Sequence, residues 1–276
     1  MKRAGRLLFV VVPLFALAAC FVVPGQGDDG GRSDSRSAAP DARAAGLDAP
    51  GKKELAQRIV SSAENSSLDW RAQYGYIEDI GDGRGYTAGI IGFTTGTHDL
   101  LVLVERYTKA HPGNALERYL PALRKVDGSE SHAGLGDGFV AAWKAEAAKA
   151  AFQRAQDSER DRVYFDPAVR LAKRDGLGVL GQFIYYDAMV MHGPGNPGFY
   201  GIRKQAMAEA DTPAEGGKEV SYLDIFLDMR KKTMEGEGRR DTSRVDTAQR
   251  RFLYDGNLDL DTPLKWKVYG QPYEVK

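Results

Sequence analysis

One stretch restricts what this chain can fold into more than any other: residues 177–191, LGVLGQFIYYDAMVM. It is apolar almost all round, and a helix without a polar face needs protein on every side. The rest of the chain must therefore supply elements that cover it, and 276 residues are enough to do so. Asp187 is the only charged residue in the stretch. A charge in such surroundings needs a partner, and arginine is the usual one. Arg230 and Arg244, each on a later expected helix, are the candidates.

The covering elements read as mostly helical. Asp48 and Pro50 open a helix, with Asp48 as its cap, and Leu55, Ile59, Val60 and Ala63 share one face as far as Glu64. Glycines at 75, 81, 83, 85, 89, 92 and 96 then punctuate a stretch holding Ile90, Ile91 and Phe93, which reads as a small antiparallel sheet. Thr97 is expected to cap a helix starting near Asp99, and Asn114 to open another. Phe139 to Ala155 reads as a single Ala-rich helix, Pro167 starts the next, and Tyr222–Met234 and Ser243–Tyr254 follow. The C-terminal NLDLDTPLKWKVYGQPYEVK reads as irregular. The sum is α+β, mainly α-helical, with one small sheet.

The first 46 residues have a separate character. Lys2, Arg3 and Arg6 precede an apolar run from Leu7 to Val23, the pattern of an export signal. Leu17-Ala18-Ala19-Cys20 resembles a lipobox, in which Cys20 would carry a lipid anchor; cleavage of an ordinary signal peptide is the alternative. Residues 24–46 are Gly, Ser, Asp, Arg and Ala with almost nothing to bury, a linker. Residues 47–276 are then the folded, secreted unit. Of the 38 basic and 38 acidic residues, six and four lie in the first 46, so the folded part holds 32 and 34. That balance argues against nucleic acid as a partner. The lone Cys excludes a disulfide framework or a Cys-based metal site, and the four scattered histidines give no support for metal catalysis or a cofactor.

Two carboxylates stand out by placement. Glu64 ends the first expected helix, where the helix dipole and burial both favour the protonated acid. Asp82, between Gly81 and Gly83 in IGDGRGYT, can be solvated or take backbone N–H bonds and stay ionised. One proton-holding and one ionised carboxyl is the pairing that glycoside hydrolysis needs.

The runs SSAENSSLDW (61–70), YIEDIGDGRGYTAGIIGF (76–93), DRVYFDPAV (161–169), YYDAMVMHGPGN (185–196), DTSRVDTAQRRFL (241–253) and LKWKVYG (264–270) resemble chitosanases of glycoside hydrolase family 46, in the same order and over almost the whole folded part. The resemblance implies a lysozyme-like fold with two lobes around a cleft, and endo-acting, inverting hydrolysis of β-1,4 bonds in chitosan by a monomer without cofactor. It implies that Glu64 is the general acid and Asp82 the base, with Thr87 helping to hold the water. Asp187, Arg230 and Arg244 would form a charged network behind the acid, and Asp99 would bind a glucosamine unit. Ser66, Tyr76, Arg84, Thr97 and His192 would line the cleft, and either Glu235 or Glu237 would reach the sugar. A cleft with Asp99 and further acids would favour a cationic polymer by charge. A muramidase or lytic transglycosylase on the same scaffold, and a non-catalytic polysaccharide-binding lipoprotein, are the alternative readings.

Overall fold

The structure, a computed structural model, describes residues 46–276. The leader, the lipobox Cys20 and all but the last residue of the linker lie outside the described residues. The apolar stretch forms α7 (Val179–His192), whose first 11 residues are all buried. It packs against α1 (Pro50–Glu64), α6 (Asp166–Arg174), α8 (Phe199–Glu209) and α9 (Glu219–Gly236). The contact with α1 is specific as well as apolar: the buried Tyr186 hydroxyl donates to Gln57 Oε1 at 2.9 Å.

A second group of elements gathers around a three-stranded antiparallel sheet, β1 (Ile77–Asp79), β2 (Tyr86–Ala88) and β3 (Phe93–Thr94). Here β3 packs on α2 (Asp99–Ala110), α2 on α3 (Leu120–Val126) and α5 (Ala150–Arg160), and β1 on α4 (Gly136–Ala147). The two groups share one helical run. After α5 the chain makes a π-helical turn at Asp161–Phe165 and continues directly into α6, so helix is unbroken from Ala150 to Arg174. Pro167 lies just after the π-helical turn, where it lacks the N–H that would bond back into the run.

Several expectations need correction. Asp48 does not cap α1. The cap position is Ala49, without a side-chain bond, and Asp48 is drawn instead to Lys173 Nζ at 2.8 Å. Thr97 does not cap α2 either. His98 holds that position in a left-handed conformation, and the Asp99 carboxylate turns back to accept the Thr94 N–H at 2.8 Å. Phe139–Ala155 is two helices, α4 and α5, broken at Ala148-Lys149. Phe199–Glu209 adds a helix, α8, that the sequence pattern does not predict. The C-terminus is ordered: β4 (Leu264–Val268) and β5 (Gln271–Val275) pair as a hairpin, a second sheet where one was expected. Leu264, Trp266 and Val268 are buried while Lys265 and Lys267 are exposed. Trp266 locks the hairpin onto α1, its indole N–H donating to Ser62 Oγ at 2.9 Å.

Candidate active site

Glu64 is the last residue of α1 and lines a cleft of about 380 Å³. Tyr76, Ile80, Arg84 and Thr87 reach the same cleft from the sheet group. Thr97 and Asp99 come from the start of α2, and His192 from the end of α7. The cleft thus lies between the two groups of elements. Tyr164, Arg239 and Tyr269 also line it and had not been expected there.

Behind Glu64 lies a buried charge network. Asp187, 1% exposed, accepts three contacts from Arg244, Nε to both its oxygens and Nη2 to Oδ1, at 2.8–3.0 Å, and pairs with Arg230 Nη1 at 2.7 Å. Burial alone would raise its pKa, but the two guanidinium groups hold it down to about 2. Arg244 Nη1 also donates to Glu64 Oε1 at 2.5 Å, so the acid is fastened to the network. The setting expected for Glu64 is modified in two ways. Its side chain is 26% accessible rather than buried, and a guanidinium touches it. Gln249 completes the network by donating to Asp187 Oδ2 at 2.5 Å and accepting from Arg230 Nη1 at 2.8 Å. Sequence reasoning missed it because an α-helix puts residues five apart on different faces. The π-helical turn Arg244–Gln249 brings residues 244 and 249 onto Asp187 together.

Asp82 sits in the exposed turn between β1 and β2, and is not itself a cleft wall. Burial would raise its pKa, but Arg84 lowers it below the ordinary carboxylate value. Arg84 donates to it through Nε at 2.8 Å, Nη2 at 2.5 Å and the backbone N–H at 3.1 Å. The carboxylate is therefore ionised, as expected. The turn is held from outside: Arg84 O accepts the Gly96 N–H at 2.9 Å and Thr95 Oγ1 at 3.2 Å. Gly85, at φ +68°, makes this approach possible, since a Cβ there would lie 2.2 Å from Thr95 Oγ1. Thr87, two residues on in β2, is 9% exposed, and its hydroxyl has no protein partner. Such an orphaned buried hydroxyl can hold a water or a substrate group.

Asp99 is pinned by three donors, the Thr94 N–H, Thr97 Oγ1 at 2.9 Å and the Tyr164 hydroxyl at 2.8 Å. Burial outweighs these bonds and raises its pKa. The His192 ring is fully buried. Its Nε2 accepts from Arg230 Nε at 3.5 Å and its Nδ1 lies 3.4 Å from Glu237 Oε1. Burial and the surrounding arginines push it down to about 3, so it is neutral. Glu237, not Glu235, is thus the one of the two in contact with cleft residues, holding Arg239 at 3.0 Å as well. Ser66, at φ +51°, is not among the walls. The cleft is also less acidic than expected. Glu64 and Asp99 share it with Arg84, Arg239 and Arg244, each of which has a carboxylate partner.

A glutamate at a helix end, fixed by a buried network, shares this cleft with a hairpin whose turn bears an ionised carboxylate. Two such carboxyl groups at one cleft, in a mainly helical α+β fold, match the requirement of a glycoside hydrolase. The profile of glycosyl hydrolase family 46 matches residues 58–264, and the chain belongs to that family. A protein of Streptomyces sp. (strain N174) named chitosanase is 58% identical over 276 residues, covering 99% of this chain and 98% of its own. One of Nocardioides sp. (strain N106), also named chitosanase, is 60% identical over 235 residues, 84% of each chain. Among solved structures, a co-crystal of a chitosanase with substrate superposes with a TM-score of 0.82 at 56% identity, covering 84% of this chain and 99% of that one.

Proposed function

We propose that this protein is an endo-acting chitosanase that hydrolyses β-1,4 bonds of chitosan with inversion. The observation that carries the reading is the shared cleft of a family 46 chain, where the network-bound Glu64 meets the hairpin of Asp82 and the unpartnered Thr87 hydroxyl. Glu64 protonates the glycosidic oxygen. Asp82, ionised, takes a proton from a water that Thr87 helps to hold, and that water attacks the anomeric carbon from the opposite face. The turn bearing Asp82 folds over the bound polymer to bring its carboxylate to the bond, as closure does in many enzymes. Asp99 receives a glucosamine ammonium, whose charge keeps the carboxylate ionised against the pull of burial. The protein acts outside the cytoplasm, carried there by its leader; mass spectrometry of the mature N-terminus distinguishes signal-peptide cleavage from lipidation at Cys20.

Release of reducing ends from soluble chitosan tests the activity. The Glu64→Gln variant keeps a carbonyl for Arg244, so it should fold normally and lose at least ~10²-fold in kcat. Near-parental turnover in that variant would remove Glu64 from its role. Proton NMR of the first product should show the anomer opposite to that of the substrate bond. A non-reducing anhydro-sugar product would identify a lytic transglycosylase instead.

A further inference from the structure

Tyr269 stands at the first position of the two-residue turn joining β4 and β5, with φ +53°, and Gly270 follows at +77°. Two positive φ angles make this the hairpin turn that favours Asn or Asp followed by Gly. A bulky aromatic at positive φ is an outlier, and such outliers concentrate at functional sites. The turn is nonetheless firmly held. The Tyr269 N–H donates to Ser243 Oγ at 2.8 Å, and Thr247 Oγ1 donates to Lys267 O at 2.6 Å. Ser243 directly precedes Arg244, the residue bound to Glu64. The hairpin tip is thus fastened to the segment that positions the acid.

The location of exposed apolar side chains points the same way. Among the described residues, five large hydrophobic side chains are strongly exposed, and two of them, Ile80 and Tyr269, line the cleft. Tyr269 is 47% exposed and shares that cleft with Glu64 and Arg244. The acid–base pair gives neither residue a task. A pyranose ring, though rich in hydroxyls, presents a face of C–H groups, and an exposed aromatic ring covers such a face while keeping its own hydroxyl wet.

We infer that Tyr269 is a binding residue, an aromatic platform for the C–H face of a glucosamine ring next to the bond that Glu64 protonates. This rests on the chitosan-cleaving reading above. The Tyr269→Asn variant separates platform from turn, because Asn suits the turn better than Tyr does. It should keep or raise the urea midpoint while KM for glucosamine oligomers rises about tenfold and product lengths shift. Tyr269→Gly, equally at home at positive φ, serves if the Asn variant folds poorly. Tyr269→Phe keeps the ring and should stay within about twofold of the parent. Parental KM and product lengths in a folded Asn or Gly variant would overturn the platform and leave the chitosan reading intact. So would a Phe variant as impaired as Asn, since the hydroxyl would then be the contact. A parent that releases no reducing ends from chitosan would instead sink the chitosan reading, and the platform with it.

Discussion

At the scale of single residues, the network on Asp187 sets the terms for the acid. Two arginines and two carboxylates lie in one continuous set of contacts, Arg230–Asp187–Arg244–Glu64. Two guanidinium groups face the Asp187 carboxylate, which is how it can remain ionised away from water. Breaking the set strands the remaining charge. Arg244→Ala should destabilise the fold by ~3–5 kcal/mol, read from urea unfolding, and lower kcat as Glu64 loses its anchor. A variant with the parental unfolding midpoint would show that Arg230 and Gln249 suffice for Asp187. This network was largely legible beforehand, because a charge in an apolar stretch demands a partner and the later helices offered arginines. Gln249 was not, since its proximity depends on a π-helical turn that no α-helical periodicity reveals. The setting of Glu64 was half legible. Its place at a helix end was readable, but the guanidinium against it comes from 180 residues away.

At the scale of elements, the hairpin that carries Asp82 depends on a contact with a neighbouring turn. Gly85 lets Arg84 O reach Thr95 and Gly96 at hydrogen-bond distance. Gly85→Ala adds a Cβ at positive φ into that contact. It should destabilise by more than ~1 kcal/mol and lower kcat more than it lowers the unfolding midpoint suggests. An alanine variant with parental kcat would show that the turn tolerates displacement during catalysis. The glycine-punctuated sheet was readable because turn chemistry is local. The C-terminal hairpin was equally local in its signals, with Leu264, Trp266 and Val268 alternating against lysines ahead of a Tyr-Gly turn. The Asp and Pro residues around it mask that alternation. The break between α4 and α5 left no Gly or Pro to mark it, and alanine on both sides hides a boundary that tertiary packing decides.

At the scale of the whole molecule, two buried titrating groups act together on acid stability. His192 has its pKa lowered from 6.5 to about 3, so the folded protein keeps it neutral while the unfolded chain takes up a proton below pH 6.5. Stability is therefore lost as pH falls from 6.5 towards 3, by at most ~1.4 kcal/mol per pH unit. Asp187 has its pKa lowered from 3.8 to about 2, and its contribution, complete above 3.8, is lost as pH falls through that window. His192→Gln should thus compare more favourably with the parent at pH 4.5 than at pH 7 in urea unfolding. A difference independent of pH would show that the ring is not neutral when buried. The mainly helical α+β class was legible from helical periodicity and the one all-apolar helix, but the way the two walls of the cleft are joined was not. The run from Ala150 to Arg174 reaches both, packing on α2 through α5 and on α7 through α6. Each residue of an α-helix turns its successor by ~100°, so alignment across the cleft is a matter of phase. One residue inserted into the exposed face of that run would swing Asp99 and the base-bearing hairpin around the helix axis, away from Glu64. Length variation there is tolerable in whole turns, or where a π-helical turn like the one at Asp161–Phe165 takes up the odd residue, which makes this helix the gear that keeps the two halves of the active site in mesh.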